Sequence, residues 1–132
     1  IFGKNIQLND YVHITAMNKV VIGDNVLMAS KIYISDCSHG FYNGEEIDSP
    51  PDQHPIDRSY KISEVIIGDN VWLGEFVSVL PGVTIGKGAI IGSNSVVIKN
   101  IPANTIAVGS PAKVIKKYNF ETKKWEIIKK QI

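Results

Sequence analysis

Four side chains in this sequence are able to carry chemistry: His13, Cys37, His39 and His54. Imidazole exchanges a proton near neutral pH, so a histidine can act as a general base or as a metal ligand. A cysteine thiolate can act as a nucleophile or bind a metal. The cysteine and two of the histidines fall in one segment, residues 36–64, which is rich in His, Gly, Pro, Asp and Ser. Any chemistry therefore depends on this segment and on the elements that hold it in place.

Those elements form a repeat with a period of six residues. Aliphatic residues recur at Ile67, Leu73, Val79, Ile85, Ile91 and Val97, and small or β-branched residues follow four positions later at Val71, Val77, Val83, Ala89 and Ser95. A period of six fits neither a helix nor a long strand, so each unit is interpreted as a short strand and a turn. Three units make one coil of about 18 residues, and stacked coils bury a continuous core. We predict an all-β fold, a single parallel β-helix shaped as a triangular prism.

The repeat begins near the start of the chain and is interrupted once. Earlier positions of the pattern are Phe2, Leu8 and Ile14, and the pattern then resumes two residues out of phase at Ile22, Met28 and Ile34. We predict that two extra residues bulge from a corner near Asn18 and Lys19. Between Ser35 and Glu64 the period is absent, which predicts a projecting arm, about residues 36–64, that is a long loop without regular structure.

After Val97 the repeats end. Residues 107–115 are expected to form a final strand, interrupted at Gly109, Ser110 and Pro111. We assign residues 1–117 to the β-helix domain and 118–132 to a C-terminal tail. Apolar residues of the tail follow a mixed helical spacing that favours a short helix: Phe120, Trp125, Ile128 and Ile132.

Composition and charge limit the class of protein. A hydrophobic fraction of 44% with 20% charged residues is typical of a globular domain. No apolar run is long enough to span a membrane and no signal peptide is evident, so we expect a cytoplasmic protein. The chain begins at Ile1, inside a repeat, and we expect further sequence upstream. One cysteine cannot form an internal disulfide.

The net charge of +1 conceals a basic C-terminal end. Lysines crowd it at Lys113, Lys116, Lys117, Lys123, Lys124, Lys129 and Lys130. Binding of nucleotide phosphates and simple solvation are both open interpretations of this charge. Nucleic acid is not expected as a partner, because aromatic residues hardly interleave with the lysines and no binding motif surrounds them.

Three strings of the sequence resemble a known family: IGDNVWLG, PGVTIGKGAIIGSNSVV and IPANTIAVGSPAKVI. They are similar to the hexapeptide-repeat acyltransferases, most of all to the group of galactoside, maltose and O-antigen sugar acetyltransferases. The resemblance covers residues 6–117. It implies a left-handed β-helix, acetyl-CoA as the acyl donor and a small sugar-like acceptor. It further implies a homotrimer with its sites between neighbouring prisms, and no metal.

The resemblance also assigns roles to individual residues. The motif SDCSHG places the family's general base at His39, so the acceptor oxygen would attack the thioester directly, without a covalent enzyme intermediate. His13 and His54 are the competing candidates. Asn9 and Trp72 match positions near the acceptor and the thiol end of the cofactor. Asn9 is open to a second interpretation as a corner asparagine, and Trp72 to one as a subunit contact.

For acetyl-CoA, the family's groove implicates main-chain groups at successive corners and a basic residue near the phosphates. In this sequence the matching positions are Gly74, Ser93, Lys99, Gly109 and Lys116. The arm is expected to shape the acceptor pocket, with polar groups at Glu45, Glu46, Asp48, Asp52, Asp57 and Arg58.

Several alternatives remain open at this point. The acceptor group can be a sugar hydroxyl, an amino sugar or nucleotide sugar amine, or serine or an antibiotic. A γ-class carbonic anhydrase would need three histidines converging on zinc, and two of the three here lie in one loop. A non-enzymatic β-helix would show regular polar ladders and no arm. Cys37 as an acyl-accepting nucleophile would demand a ping-pong mechanism, and we interpret it as a structural thiol.

Overall fold

The computed structural model describes residues 1–45 and 47–129, and its core is a parallel β-helix with three faces. The first face contains β3 (Val20–Ile22), β8 (Val65–Ile67) and β11 (Thr84–Ile85). The second contains β1 (Gln7–Leu8), β4 (Leu27–Met28), β9 (Trp72–Leu73), β12 (Ile90–Ile91) and β14 (Thr105–Gly109). The third contains β2 (His13–Thr15), β5 (Tyr33–Ser35), β10 (Ser78–Val79) and β13 (Val96–Val97).

The register of the strands confirms the coil predicted from the period of six. Ile67 pairs with Ile85, Leu73 with Ile91 and Val79 with Val97, each eighteen residues apart. All six of the predicted aliphatic positions from Ile67 to Val97 are buried, at 1% exposure or less. The second row, Val71, Val77, Val83, Ala89 and Ser95, is equally buried. The interior of the prism is therefore the continuous core that the repeat predicts.

The first coil takes its predicted register but is less covered. Phe2 bridges to Ile22, Leu8 pairs with Met28, and Ile14 pairs with Ile34. Ile22, Met28 and Ile34 are buried, whereas Phe2 and Leu8 are exposed. The second coil is packed on both sides by neighbouring coils, and the first coil has a neighbour on one side within the described residues.

The expected arm contains regular structure that was not predicted. Strands β6 (Cys37–His39) and β7 (Tyr60–Ile62) pair antiparallel and form a stem, and a 3₁₀ helix, Pro55–Asp57, lies beyond it. The expectation of a loop without regular structure is therefore wrong for the stem. Strands of three residues are too short to show a period, and their stability comes from pairing with each other.

The expected helix in the tail is also wrong. β15 (Ala112–Asn119) pairs antiparallel with β14 and with β16 (Lys124–Ile127), so β15 and β16 form a β-hairpin added to the second face. The side chain of Asn119 accepts the backbone N–H of Glu121 and of Thr122, at 2.9 and 3.2 Å, and so turns the chain. The edge of β14 offers β15 a row of backbone hydrogen-bond partners, and this strand pairing prevails over the weak helical spacing.

The predicted interruption at Gly109, Ser110 and Pro111 is a chain reversal between β14 and β15. The boundary expected at residue 117 falls inside β15. Glu46, Lys130 and Ile132, which the sequence analysis named, lie outside the described residues. Within the part of the chain that the structure describes, no helix has the length and apolar character needed to cross a membrane.

Candidate active site

The arm leaves the prism at Asp36, directly after β5 on the third face. The Asp36 side chain is fully buried, and its carboxylate accepts the backbone N–H groups of Met17, Asn18 and Lys19 at 2.9, 2.8 and 2.8 Å. Asn18 and Lys19 are the residues at which a bulge of the first coil was predicted, and Met17 directly precedes them. Burial by itself raises the pKa of Asp36, but the backbone N–H donors outweigh it and hold the pKa below its usual range. The carboxylate therefore fixes the arm's point of exit to the prism.

The returning end of the arm is fastened at the same place. The Asp36 carbonyl accepts the N–H of Ser63 at 2.8 Å, and the Lys19 carbonyl accepts the N–H of Val65 at 3.2 Å. Lys19 also forms an ion pair with Glu64 at 3.4 Å. That pair is exposed on both sides, so it adds little stability. These backbone hydrogen bonds attach the base of the stem directly to the prism.

His39 is the last residue of β6 and lies opposite Tyr60 of β7. The two rings are tilted by 51° with their centroids 4.7 Å apart, and the histidine is exposed. Among the described residues neither ring nitrogen of His39 makes a hydrogen bond to another side chain or to the backbone. The structure thus presents a solvent-facing imidazole on an ordered two-stranded stem.

The other two histidines have different surroundings. His13 lies on β2, stacks on Tyr33 with centroids 5.5 Å apart, and has its Nε2 2.8 Å from the Thr15 hydroxyl. His54 lies in the far loop of the arm, with its Nδ1 3.9 Å from the Asp57 carboxylate. In the described ranges no three His, Cys, Asp or Glu side chains form a group that could hold a metal ion. The carbonic anhydrase alternative gains no support from this chain.

Cys37 is half-buried in β6, and its Sγ lies 3.5 Å from the Ser35 hydroxyl. That hydroxyl also donates to the Cys37 carbonyl at 3.0 Å and accepts the Cys37 N–H at 3.2 Å. The thiol is packed at the base of the stem, two residues before His39.

Four predicted residues lie at one corner of the prism, which we call the second corner because it follows the second face. They are Asn9, Gly74, Ser93 and Gly109, from four different coils. A Cβ built on Gly74 would lie 2.8 Å from the backbone nitrogen of Ser93, so the coils stack there at a distance that only glycine allows. The second corner is therefore a narrow, closely stacked edge.

The polar groups at the second corner differ in the hydrogen bonds that they make. The Gly109 N–H donates to the buried Ser95 hydroxyl at 3.0 Å. The Asn9 N–H donates to the Met28 carbonyl at 3.1 Å, and the Asn9 side chain accepts from Gln7 at 3.3 Å. Asn9 is not in the left-handed conformation; that conformation occurs at Asn5 and Tyr11 on either side of it. The interpretation of Asn9 as a left-handed corner residue is therefore wrong.

Trp72 lies on the second face next to this corner, between Leu27 and Ile90 of adjacent coils, and is 48% exposed. Lys116 is half-buried in β15 and pairs with Ile106. Lys99 is separate from the others, because it follows β13 and lies at the third corner. The third corner is also where the arm leaves, so within one chain the stem of His39 starts from a different edge than Gly74 and Ser93.

The arm itself encloses an open cavity of about 1300 Å³. Its lining comes entirely from the arm: Phe41, Asn43, Glu45, Ile47, Asp48, Ser49, Pro50, Gln53, Ser59 and Lys61. Of the arm residues expected to shape an acceptor pocket, Glu45 and Asp48 line this cavity. Asp52, Asp57 and Arg58 do not. Asp36, Tyr42 and Tyr60 were not predicted as site residues, and the only signal for them is their closeness to His39 in the segment.

Comparison with known proteins agrees with this architecture. Residues 64–99 match the family described as bacterial transferase hexapeptide (six repeats). Over 125 residues the chain is 51% identical to the "Putative lipopolysaccharide biosynthesis O-acetyl transferase WbbJ" of Escherichia coli (strain K12), covering 95% of this chain and 64% of that protein. The chain spans between 34% and 64% of the length of the curated relatives it matches.

Two solved structures extend the comparison. A maltose O-acetyltransferase from Clostridium difficile 630 superposes with a TM-score of 0.62 at 34% identity, covering 88% of this chain and 70% of that one. A galactoside acetyltransferase in complex with coenzyme A superposes with a TM-score of 0.71 at 29% identity, covering 99% of this chain and 71% of that one. With these likenesses the prism is a left-handed β-helix, as the resemblance implied. The chain belongs to the hexapeptide-repeat transferase family.

Proposed function

We propose that this protein transfers an acetyl group from acetyl-CoA to a hydroxyl of a sugar or polysaccharide precursor, with His39 as the general base. The relatives named as O-acetyltransferases and the neighbour in complex with coenzyme A support the reaction class and the donor. The observation that carries the role of His39 is its exposed imidazole on a stem anchored to the prism. A base must be free to reach substrate and also held in place.

In the proposed reaction the acceptor oxygen attacks the thioester carbonyl while the imidazole of His39 takes the hydroxyl proton. The resulting tetrahedral intermediate collapses with loss of the CoA sulfur, which receives that proton from the imidazolium. The acetyl group passes directly from CoA to the acceptor, and no acyl-enzyme forms. A histidine suits both proton transfers because imidazole changes charge near neutral pH.

We propose that acetyl-CoA lies along the second corner. Gly74, Ser93 and Gly109 would line the extended part of the cofactor, and Lys116 would lie near its phosphates. The close approach at Gly74 leaves main-chain groups rather than side chains at that edge. Lys116 brings a charge that attracts phosphate. Lys99, at the third corner, would reach the same donor only from a neighbouring prism. Asn9 and Trp72 would face the acceptor and the thiol end.

We propose a homotrimer, and the separation of these groups supports a site shared between neighbouring prisms. The stem of His39 starts at the third corner, and the proposed donor groove is the second corner of the same chain. A site between two prisms unites one subunit's arm with another's groove. The second face also carries an outward row of apolar residues suited to a subunit contact: Leu27, Trp72, Ile90 and Ile106. We propose a cytoplasmic location and no metal requirement for this assembly.

The test is a thiol-release assay with acetyl-CoA against sugars, amino sugars, nucleotide sugars and serine. It compares the full-length protein with its His39→Ala and His54→Ala variants. We expect release with hydroxyl-bearing sugars, and a loss of about two to four powers of ten in the His39→Ala variant, the usual scale for a general base. His54 is the matched control, because it is an exposed histidine of the same arm that lies outside the two strands of the stem.

Release that persists in the His39→Ala variant would move the base elsewhere. Release only with amine acceptors would replace the O-acetyl assignment by N-acetylation. No release and no binding of CoA by calorimetry would leave a hexapeptide-repeat prism without this activity.

A further inference from the structure

The guanidinium of Arg58 forms hydrogen bonds with several groups in the far loop of the arm. Its Nε and Nη2 donate to the Gln53 carbonyl at 3.2 and 2.9 Å, and Nη2 also donates to the Pro51 carbonyl at 3.2 Å. Its Nη1 donates to the Tyr42 hydroxyl at 2.9 Å. No carboxylate among the described residues forms an ion pair with Arg58. The guanidinium therefore uses its N–H donors to hold two parts of the arm together.

Tyr42 connects Arg58 to His39 through hydrogen bonds. Its hydroxyl accepts from Arg58 and donates to the backbone carbonyl of His39. The guanidinium carbon also lies 5.7 Å from the centre of the Tyr42 ring. A hydroxyl that accepts from a charged donor becomes a better donor itself, so the two bonds strengthen each other. The chain of contacts thus runs from Arg58 to the main chain of His39.

Gly40 makes room for this arrangement. It has φ of +103°, and its N–H donates to the Ser59 carbonyl at 2.7 Å. A Cβ at Gly40 would collide with the hydroxyl and ring of Tyr42 and would lie 2.8 Å from the Ser49 hydroxyl. Only glycine allows the Tyr42 ring to fold back over the residue after His39.

We propose that Tyr42 and Arg58 are positioning residues for His39. β-pairing with Tyr60 restrains one side of His39, and the hydroxyl of Tyr42 restrains its carbonyl on the other. Because the peptide groups on both sides of His39 are held by hydrogen bonds, the Cα of His39 is fixed in position. The imidazole therefore approaches the acceptor from a defined point. The inference rests on the proposed role of His39 as the base.

The first test is Tyr42→Phe, which removes only the hydroxyl. We expect kcat to fall about tenfold, because a base displaced by a fraction of an ångström loses part of the roughly hundredfold that a 1 Å error costs. The KM for acetyl-CoA should stay within about twofold. Tyr118→Phe is the matched control, because the Tyr118 hydroxyl makes no hydrogen bond in the described part of the chain and its ring contacts lie in the terminal hairpin. It should leave both constants unchanged.

Arg58→Lys keeps the charge but loses the fork. We expect the same fall in kcat as for Tyr42→Phe, and no further fall when the two changes are combined, because both act through one chain of contacts. Tyr42→Phe should also have no effect in the His39→Ala background. A change that merely loosens the fold would lower the residual rate there as well.

A spectroscopic measurement checks the geometry without relying on activity. The chain has three histidines, so the Hε1–Cε1 signal of His39 can be assigned by substitution. In Tyr42→Phe this signal should shift or broaden while that of His13 stays in place.

The outcomes separate the two proposals. If His39→Ala abolishes release while Tyr42→Phe keeps both kcat and the His39 signal, the positioning role is overturned and the base remains. If Tyr42→Phe is equally harmful with and without His39, the positioning role is also overturned. If His39→Ala leaves release unchanged, the proposed role of His39 as the base fails, and this inference fails with it.

Discussion

The Asp36 carboxylate accepts the backbone N–H of Asn18 at 2.8 Å, linking the first residue of the arm to a bulge eighteen residues earlier. Met17 and Lys19 donate to the same carboxylate. The two interruptions of the repeat are thereby joined at one buried charge, which supports the stem that carries His39.

Asp36→Asn should destabilise the protein by about 2–3 kcal/mol, since hydrogen bonds to a charged group contribute about 1.5–3 kcal/mol and one amide oxygen cannot replace two carboxylate oxygens. Denaturant unfolding at fixed protein concentration measures the loss. Asp52→Asn is the control, because Asp52 is an exposed arm residue, and it should change stability by less than about 0.5 kcal/mol. Equal effects of the two changes would contradict the role given to Asp36.

The stability contributed by Asp36 should depend on pH. Because its pKa is lowered in the folded state, this stability is present above the unfolded-state pKa, about 3.8, and is lost as the pH falls through the folded-state pKa. The difference in unfolding free energy between wild type and Asp36→Asn should therefore shrink below that pH. Urea midpoints of both proteins at pH 6 and at progressively lower pH give the comparison, and a constant difference would argue against it.

Leu73→Ala should cost about 2–5 kcal/mol, because the Leu73 side chain is fully buried between neighbouring coils and its removal leaves a cavity. Ile98→Ala, at a half-exposed corner position, should cost much less. Thermal and chemical unfolding of the two variants at the same concentration provide the measurement. Similar losses would place the core elsewhere than inside the prism.

Gly74→Ala should destabilise the stacking of coils by about 1–3 kcal/mol, the usual cost of overpacking. Its Cβ would meet the backbone nitrogen of Ser93 at 2.8 Å, and a backbone atom cannot rotate away. Gly92→Ala is the milder comparison, since its Cβ would meet a methyl group of Val108. Melting temperatures should fall further for Gly74→Ala, and the reverse order would refute the close approach.

Lys116→Ala should raise the KM for acetyl-CoA several-fold, and more at low than at high ionic strength, because salt screens the attraction to the phosphates. The kcat should change little. Lys113→Ala serves as the control, since Lys113 is an exposed lysine on the same strand. An effect of equal size in both variants would indicate a general basic surface rather than a phosphate contact.

The sequence alone determined the prism. Its core positions, such as Ile67, Leu73 and Val79, recur at a fixed interval because each coil places one aliphatic residue per face in the same dry interior. The resemblance to a known family, through the motif SDCSHG at the start of the arm, pointed to His39 as the base. Both features depend on residues that are near one another in sequence or repeat regularly.

Only the tertiary structure decided how the arm and the tail are held. The partners of Asp36 lie a full coil away, and Tyr42 reaches His39 through a hydroxyl and a turn at Gly40. The sequence period cannot predict such contacts, because each of them occurs only once. Each also joins segments that meet only in the folded prism. The tail became a hairpin for the same reason: β14 offered an unpaired edge, and long-range strand pairing prevailed over a weak local spacing.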